Sequence, residues 1–118
     1  MNIHNQDEVG RWVQDFIDNN NPHGFYTSSP WLNVRFEVLQ EFKFECQHCK
    51  ARGFYKKADT VHHVQYVKKY PRLALSKTYI DNEGNVKLNL VPLCHGCHEH
   101  VHDYRRRVKK KPLTPERW

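Results

Sequence analysis

Residues 91–102 read VPLCHGCHEHVH, from Val91 to His102. Two cysteines and four histidines crowd the interval between Cys94 and His102. A second knuckle, Cys46-Gln47-His48-Cys49, lies upstream and shares the C-x2-C spacing of Cys94-His95-Gly96-Cys97. One such pair also fits a thioredoxin-like redox motif, but neither knuckle follows a strand in a βαβ setting. Two pairs match a closed tetrahedral zinc site, in which Cys46, Cys49, Cys94 and Cys97 tie the halves of the chain together. Unpaired buried thiols are the bland alternative.

The composition favours the metal. Of 118 residues 38% are hydrophobic and 27% charged, so one small domain with a modest core is expected, the kind a metal staple supports. The N-terminus MNIHNQDEVG lacks the apolar core of a signal peptide, and no apolar run is long enough for a membrane span. A cytoplasmic chain is expected, where cysteine quartets bind metal more often than they form disulfides. The net charge of +6 favours a polyanionic partner.

Helical periodicity places Val9, Trp12, Val13, Phe16 and Ile17 on one face, with Asn5 as cap and Asp7 and Glu8 in the first turn. The stretch Asn19–Gly24 (NNNPHG) should turn the chain. A second helix opens at Ser29 with Pro30 in its first turn and a buried stripe of Trp31, Val34, Val38, Leu39 and Phe42. A strand is expected over Phe54–Val64. A short helix broken at Pro71 is expected within Tyr66–Ser76, and Asp81–Asn85 should turn between strands at Thr78–Ile80 and Val86–Leu90. From about Cys97 a helix should run through Val101, Tyr104 and Val108 until Pro112.

The histidines read as a second site. His98 and His102 are one helical turn apart and can share a metal; His95 and His100 are bystanders. His62 and His63 are strand neighbours facing opposite sides, so one can ligate while the other works beside it.

Asp59-Thr60-Val61-His62-His63-Val64, then Asn89-Leu90-Val91-Pro92-Leu93-Cys94, then Cys97-His98, together resemble the HNH endonuclease signature of the ββα-metal (His-Me finger) nucleases, in its zinc-stapled subgroup. Phe25–Phe42 resembles the helix that precedes the first knuckle in small phage-type HNH proteins. The resemblance spans roughly Phe25 to Arg107. It implies an α+β fold with a ββα-metal core, a four-cysteine structural zinc site and N-terminal helices. It divides the chain into an N-terminal helix and turn (1–24), a nuclease domain with zinc knuckles (25–111) and a tail (112–118).

The resemblance further implies that His63 is the general base and that His62, His98 and His102 hold the catalytic ion. Asn89 orients the loop around His63; Asn82 and Asn85 lie in the same interval, but Asn89 directly precedes LVPLC. Many HNH proteins carry aspartate where this chain has His62, and the three-histidine set is closer to bacteriocin DNases. Imidazole suits zinc or nickel better than magnesium, so Zn2+, Ni2+, Mn2+ and Mg2+ all stand as catalytic ions. The implied activity is hydrolysis of DNA to 5′-phosphate and 3′-hydroxyl ends. Similar phage proteins assist terminase in genome packaging, which would place the chain in a host cytoplasm. Arg105, Arg106, Arg107, Lys109 and Lys110 continue the metal-bearing helix and are expected to bind phosphates. The rival reading is a non-catalytic, zinc-finger-like nucleic-acid-binding module. It would share the cysteines and the basic run but has no use for the histidines.

Overall fold

The computed structural model describes residues 1–100. The expected helix beyond residue 100 and the 112–118 tail lie outside the described residues. Helix α1 spans Gln6–Asp18. The Asn5 side chain accepts from the backbone N–H groups of Asp7 at 3.0 Å and Glu8 at 3.3 Å, satisfying donors that a helix start leaves bare. Val9 and Val13 are buried, and Trp12, Phe16 and Ile17 pack beside them, so the expected stripe is the one that faces the core.

The NNNPHG stretch does more than turn. Asn20 takes a left-handed φ of 48°, and Asn21 then caps a short helix, α2, over Pro22–Tyr26, accepting from Gly24 N–H at 3.0 Å. Proline in a first turn gives up no hydrogen bond, so it opens a helix here. Phe25 on α2 is fully buried and touches the rings of Trp12, Phe16, Tyr26 and Trp31 at centroid separations of 4.9–6.3 Å.

Helix α3 runs Ser29–Glu41 and buries Trp31, Val34, Val38 and Leu39, with Phe42 partly buried against them. Lys43 and Phe44 then adopt left-handed φ values of 55° and 57°. That reversal is secured by Phe44 N–H donating to Leu39 C=O at 2.8 Å and by Phe44 C=O accepting from Ala58 N–H at 2.7 Å. It delivers the chain into the first knuckle, whose helix α4 is Gln47–Ala51.

Strand β1 is Thr60–His63, shorter than the expected Phe54–Val64. Residues 54–59 are committed elsewhere: Lys56 C=O accepts from Cys46 N–H at 2.9 Å, and a lone Glu45–Lys57 bridge closes the knuckle. Strands β2 (Thr78–Ile80) and β3 (Val86–Leu88) form the expected hairpin. In its turn Asp81 accepts from the N–H groups of Glu83 and Asn85, both at 2.9 Å. Strand β4, Leu90–Leu93, pairs antiparallel with β1 in the register Thr60–Leu93 to His63–Leu90. The strand expected over Val86–Leu90 stops at Leu88, and Leu90 instead begins β4; Pro92 is tolerated there because a two-stranded sheet has only edges. Around Pro71 a short 3-10 helix, Pro71–Leu73, begins rather than breaks. Helical turns resume at 95–100. β1, β4 and these turns form the ββα unit; α3 packs on β1 and β4, α1 packs along Pro71–Leu73, and α2 joins α1 to α3. Among the described residues no helix is long and apolar enough to cross a membrane.

Because Phe25 anchors the aromatic layer, Phe25→Ala should cost about 3–5 kcal/mol in urea denaturation. Leu32→Ala, on the exposed side of α3, should stay within about 0.5 kcal/mol of the parent.

Candidate active site and metal centre

The two knuckles meet. The sulfurs of Cys46, Cys49, Cys94 and Cys97 lie within 4.8 Å of one another, all four residues buried. Cys49 Sγ is 3.9 Å from Cys94 Sγ and 3.7 Å from Cys97 Sγ. Tetrahedral zinc–sulfur bonds of about 2.3 Å would set sulfurs roughly 3.8 Å apart, so the donor set fits such an ion. Among the described residues this is the group of three or more donors close enough to share a metal.

The electrostatics show why a cation belongs there. Burial pushes Cys97 up to about 12, and its three neighbouring sulfurs add to the rise. Burial and Cys46 likewise raise Cys49. Burial also works against ionising Cys46, but the N–H groups of Cys49 and Cys94 and the thiols of Cys49 and Cys97 outweigh it and bring Cys46 down to about 7. Four sulfurs this close cannot all ionise without a positive charge among them. Arg52 supplies part of one from outside. Its Nη2 lies 3.3 Å from Cys97 Sγ and 3.6 Å from Cys49 Sγ, and these sulfurs raise the Arg52 pKa.

On the far side of β1 from the aromatic layer, His62 meets His98 with ring centroids 5.8 Å apart and planes at 70°. With metal–nitrogen bonds of about 2.0–2.1 Å, two imidazoles on one ion have centroids roughly 5–6 Å apart. The pair therefore has the reach to share an ion. His62 is buried and His98 half-buried. His102, the expected third ligand, lies outside the described residues, as do Arg105, Arg106, Arg107, Lys109 and Lys110. His95 and His100 are exposed on the helical turns, and Asp59 is exposed before β1.

His63 faces the opposite way, into the aromatic layer, with its ring stacked on Trp31 at 4.6 Å and 28°. Its Nε2 lies 2.8 Å from Ala74 C=O. A carbonyl only accepts, so in the neutral ring Nε2 carries the proton and the basic lone pair is on Nδ1. Asn89 holds the segment that presents this carbonyl. Fully buried, it donates through Nδ2 to Leu73 C=O and Ser76 C=O, each at 2.9 Å, and accepts from Gln65 N–H at 2.9 Å. Asn82 and Asn85 stand exposed in the β2–β3 turn.

Ala74 C=O, the Trp31 stack and Arg52 were not among the expected site residues. A backbone carbonyl leaves no trace in residue types, and Trp31 was read as core. For Arg52 the one available signal was a cation in the turn that directly follows Cys49.

The sequence profile described as HNH endonuclease matches residues 46–104, half of the chain. The crystal structure of the HNH endonuclease from the deep-sea thermophilic bacteriophage GVE2, with manganese ion, aligns with a TM-score of 0.55 at 26% identity. The alignment covers 76% of this chain and 87% of that one. No curated protein sequence matches.

Asn89→Ala strands two carbonyls and one N–H in a buried setting, so denaturation should register a loss of about 1–3 kcal/mol for each group left unpaired. Asn82→Ala should stay within about 0.5 kcal/mol. Stripping metal with a chelator should lower the melting temperature sharply, since structural zinc contributes on the order of 10 kcal/mol in finger peptides. Cys94→Ser should reproduce that fall and remove one bound metal per chain.

Proposed function

The chain belongs to the HNH endonuclease family, and on that premise we propose that it hydrolyses DNA phosphodiester bonds with a divalent ion at His62, His98 and His102 and a separate structural zinc at the four cysteines. One observation carries the reading: His62, which meets His98, and the carbonyl-oriented His63 are adjacent residues of one short strand, so the pleat gives one imidazole to an ion and turns the other to the opposite face, where a carbonyl fixes its tautomer. A binding module has no use for that arrangement.

The roles follow from position. His63, with its proton held on Nε2 by Ala74 C=O, takes a proton from water through Nδ1. Trp31 blocks one face of the ring and limits its tilt. Asn89 acts on the loop and never on the phosphate, fixing Leu73 and Ser76 on either side of the orienting carbonyl. An ion bound by His62 and His98 would neutralise charge on a nonbridging oxygen and on the departing 3′-oxygen. Residues 25–111 are the nuclease unit in this reading, α1 is a brace outside it, and the 105–110 basic run grips phosphates. Zinc suits the sulfur site by donor softness, and the manganese of the phage relative makes Mn2+ the first ion to try at the histidines. The resemblance to small phage-type HNH proteins extends the proposal to a place beside a terminase in genome packaging, in a host cytoplasm.

Supercoiled-plasmid nicking tests this. His63→Ala should lower kcat by about 10²–10⁴-fold while leaving DNA affinity near the parent's, and His62→Ala should abolish the dependence on added Mn2+. A parent chain that binds plasmid yet shows no cutting with any divalent ion would overturn the proposal and favour the zinc-finger-like module.

A further inference from the structure

Residues 50–58 read KARGFYKKA, which holds four cations, two aromatic rings and no carboxylate. The stretch forms the outer lip of the first knuckle, and its backbone is tied down at several points. Gly53 turns at a φ of 90°. Gly53 N–H donates to Lys50 C=O at 3.0 Å, and Phe54 N–H donates to Cys49 C=O at 3.2 Å. Lys56 C=O accepts from Cys46 N–H at 2.9 Å, and Lys57 bridges to Glu45.

On this anchored lip the side chains divide. Arg52 turns inward to the sulfurs, with its guanidinium 5.4 Å from the Phe54 ring centre. Lys50 meets Glu45 at 3.5 Å. Lys56 and Lys57 have no ion-pair partner among the described residues, whereas Arg72, Lys77 and Lys87 each do. Between them and Arg52 stand Phe54 at 52% exposure and Tyr55 at 67%. Rings of that size are usually buried when the chain itself has a use for them. The lip also continues the site already described: Arg52 contacts Cys97, the residue before His98.

We infer that this knuckle lip is a second nucleic-acid contact of the chain, separate from the 105–110 basic run. Lys56 and Lys57 neutralise phosphates of the strand beyond the bond to be cut, and Tyr55 stacks on a base that is unpaired there. Lysines track a phosphate backbone without reading sequence. An exposed ring interleaved with cations matches the stacking platforms that hold single strands. A base paired within a duplex does not offer its face to Tyr55, so the substrate favoured at this lip is DNA with an unpaired stretch beside the cut. The inference rests on the nuclease reading for its substrate, and its test is kept separate from cutting.

Fluorescence anisotropy would follow the full chain, with no divalent ion added, on a labelled duplex and on the same strand alone. Replacing both lysines (Lys56→Gln with Lys57→Gln) should lower the slope of log affinity against log salt by about 2 on the duplex, and by somewhat less on the single strand. Tyr55→Ala should weaken single-strand binding about 5-fold or more and duplex binding less than about 2-fold. All three residues are exposed, so unchanged melting temperatures would show that the fold is intact. An unaltered salt slope, or equal loss on both probes for Tyr55→Ala, would overturn the inference. Plasmid nicking by the parent chain runs alongside. If it cuts while the lysine variant keeps its slope, the lip alone is overturned. If it never cuts while the slope drops, the lip stands and the nuclease reading falls.

Discussion

Four sulfurs gathered within 4.8 Å are the constraint on which the rest of this structure depends. Left without a cation, such a cluster concentrates negative charge in a buried volume, and burial together with the neighbouring sulfurs opposes ionisation at Cys97. A metal held there would remove that conflict and close a loop from the first knuckle to the second. Everything between them, including β1, the β2–β3 hairpin and β4, is thereby returned to its starting point. A cross-link of this kind suits a chain whose apolar core is small.

That closure positions the neighbouring histidines. Cys97 lies in the helical turns that carry His98, and Leu93, buried with the four sulfurs, ends the strand whose partner carries His62 and His63. The pleat of β1 then sorts the two imidazoles to opposite faces: His62 towards His98, His63 into the ring cluster of Phe25, Tyr26 and Trp31. A one-residue slip in the β1–β4 register would exchange the faces they point to, so the ladder decides which ring meets His98 and which meets Trp31.

The N-terminal helices complete the arrangement. α1 packs along the 3-10 helix Pro71–Leu73, where Gly10 lies so close to Arg72 that an added Cβ would stand 2.7 Å from Arg72 Cγ. The residue that presents its carbonyl to His63, Ala74, follows directly. Helices outside the matched stretch 46–104 thus support the loop whose carbonyl meets His63, and Asn89 supports the same loop from the sheet side.

Much of this was legible in the residues themselves. Cap, stripe and turn signals placed α1, α3 and the β2–β3 turn because each depends on neighbours within a few positions. Paired C-x2-C spacings pointed to the four sulfurs that the fold gathers into one group able to hold a metal, because such a site demands those atoms. The neighbouring His62 and His63 announced that they would face opposite ways because strand geometry alternates. What the tertiary structure alone decided was everything carried by main-chain atoms or by distant partners. The pairing of β4 with β1, the backbone groups of Gln65, Leu73 and Ser76 that Asn89 clamps, and the Ala74 carbonyl on His63 all belong there. So does the use of Trp31, which looked like plain core, as the floor beneath a histidine ring. Residue types record which atoms a position can offer; which carbonyl a ring meets is set by how the whole chain closes.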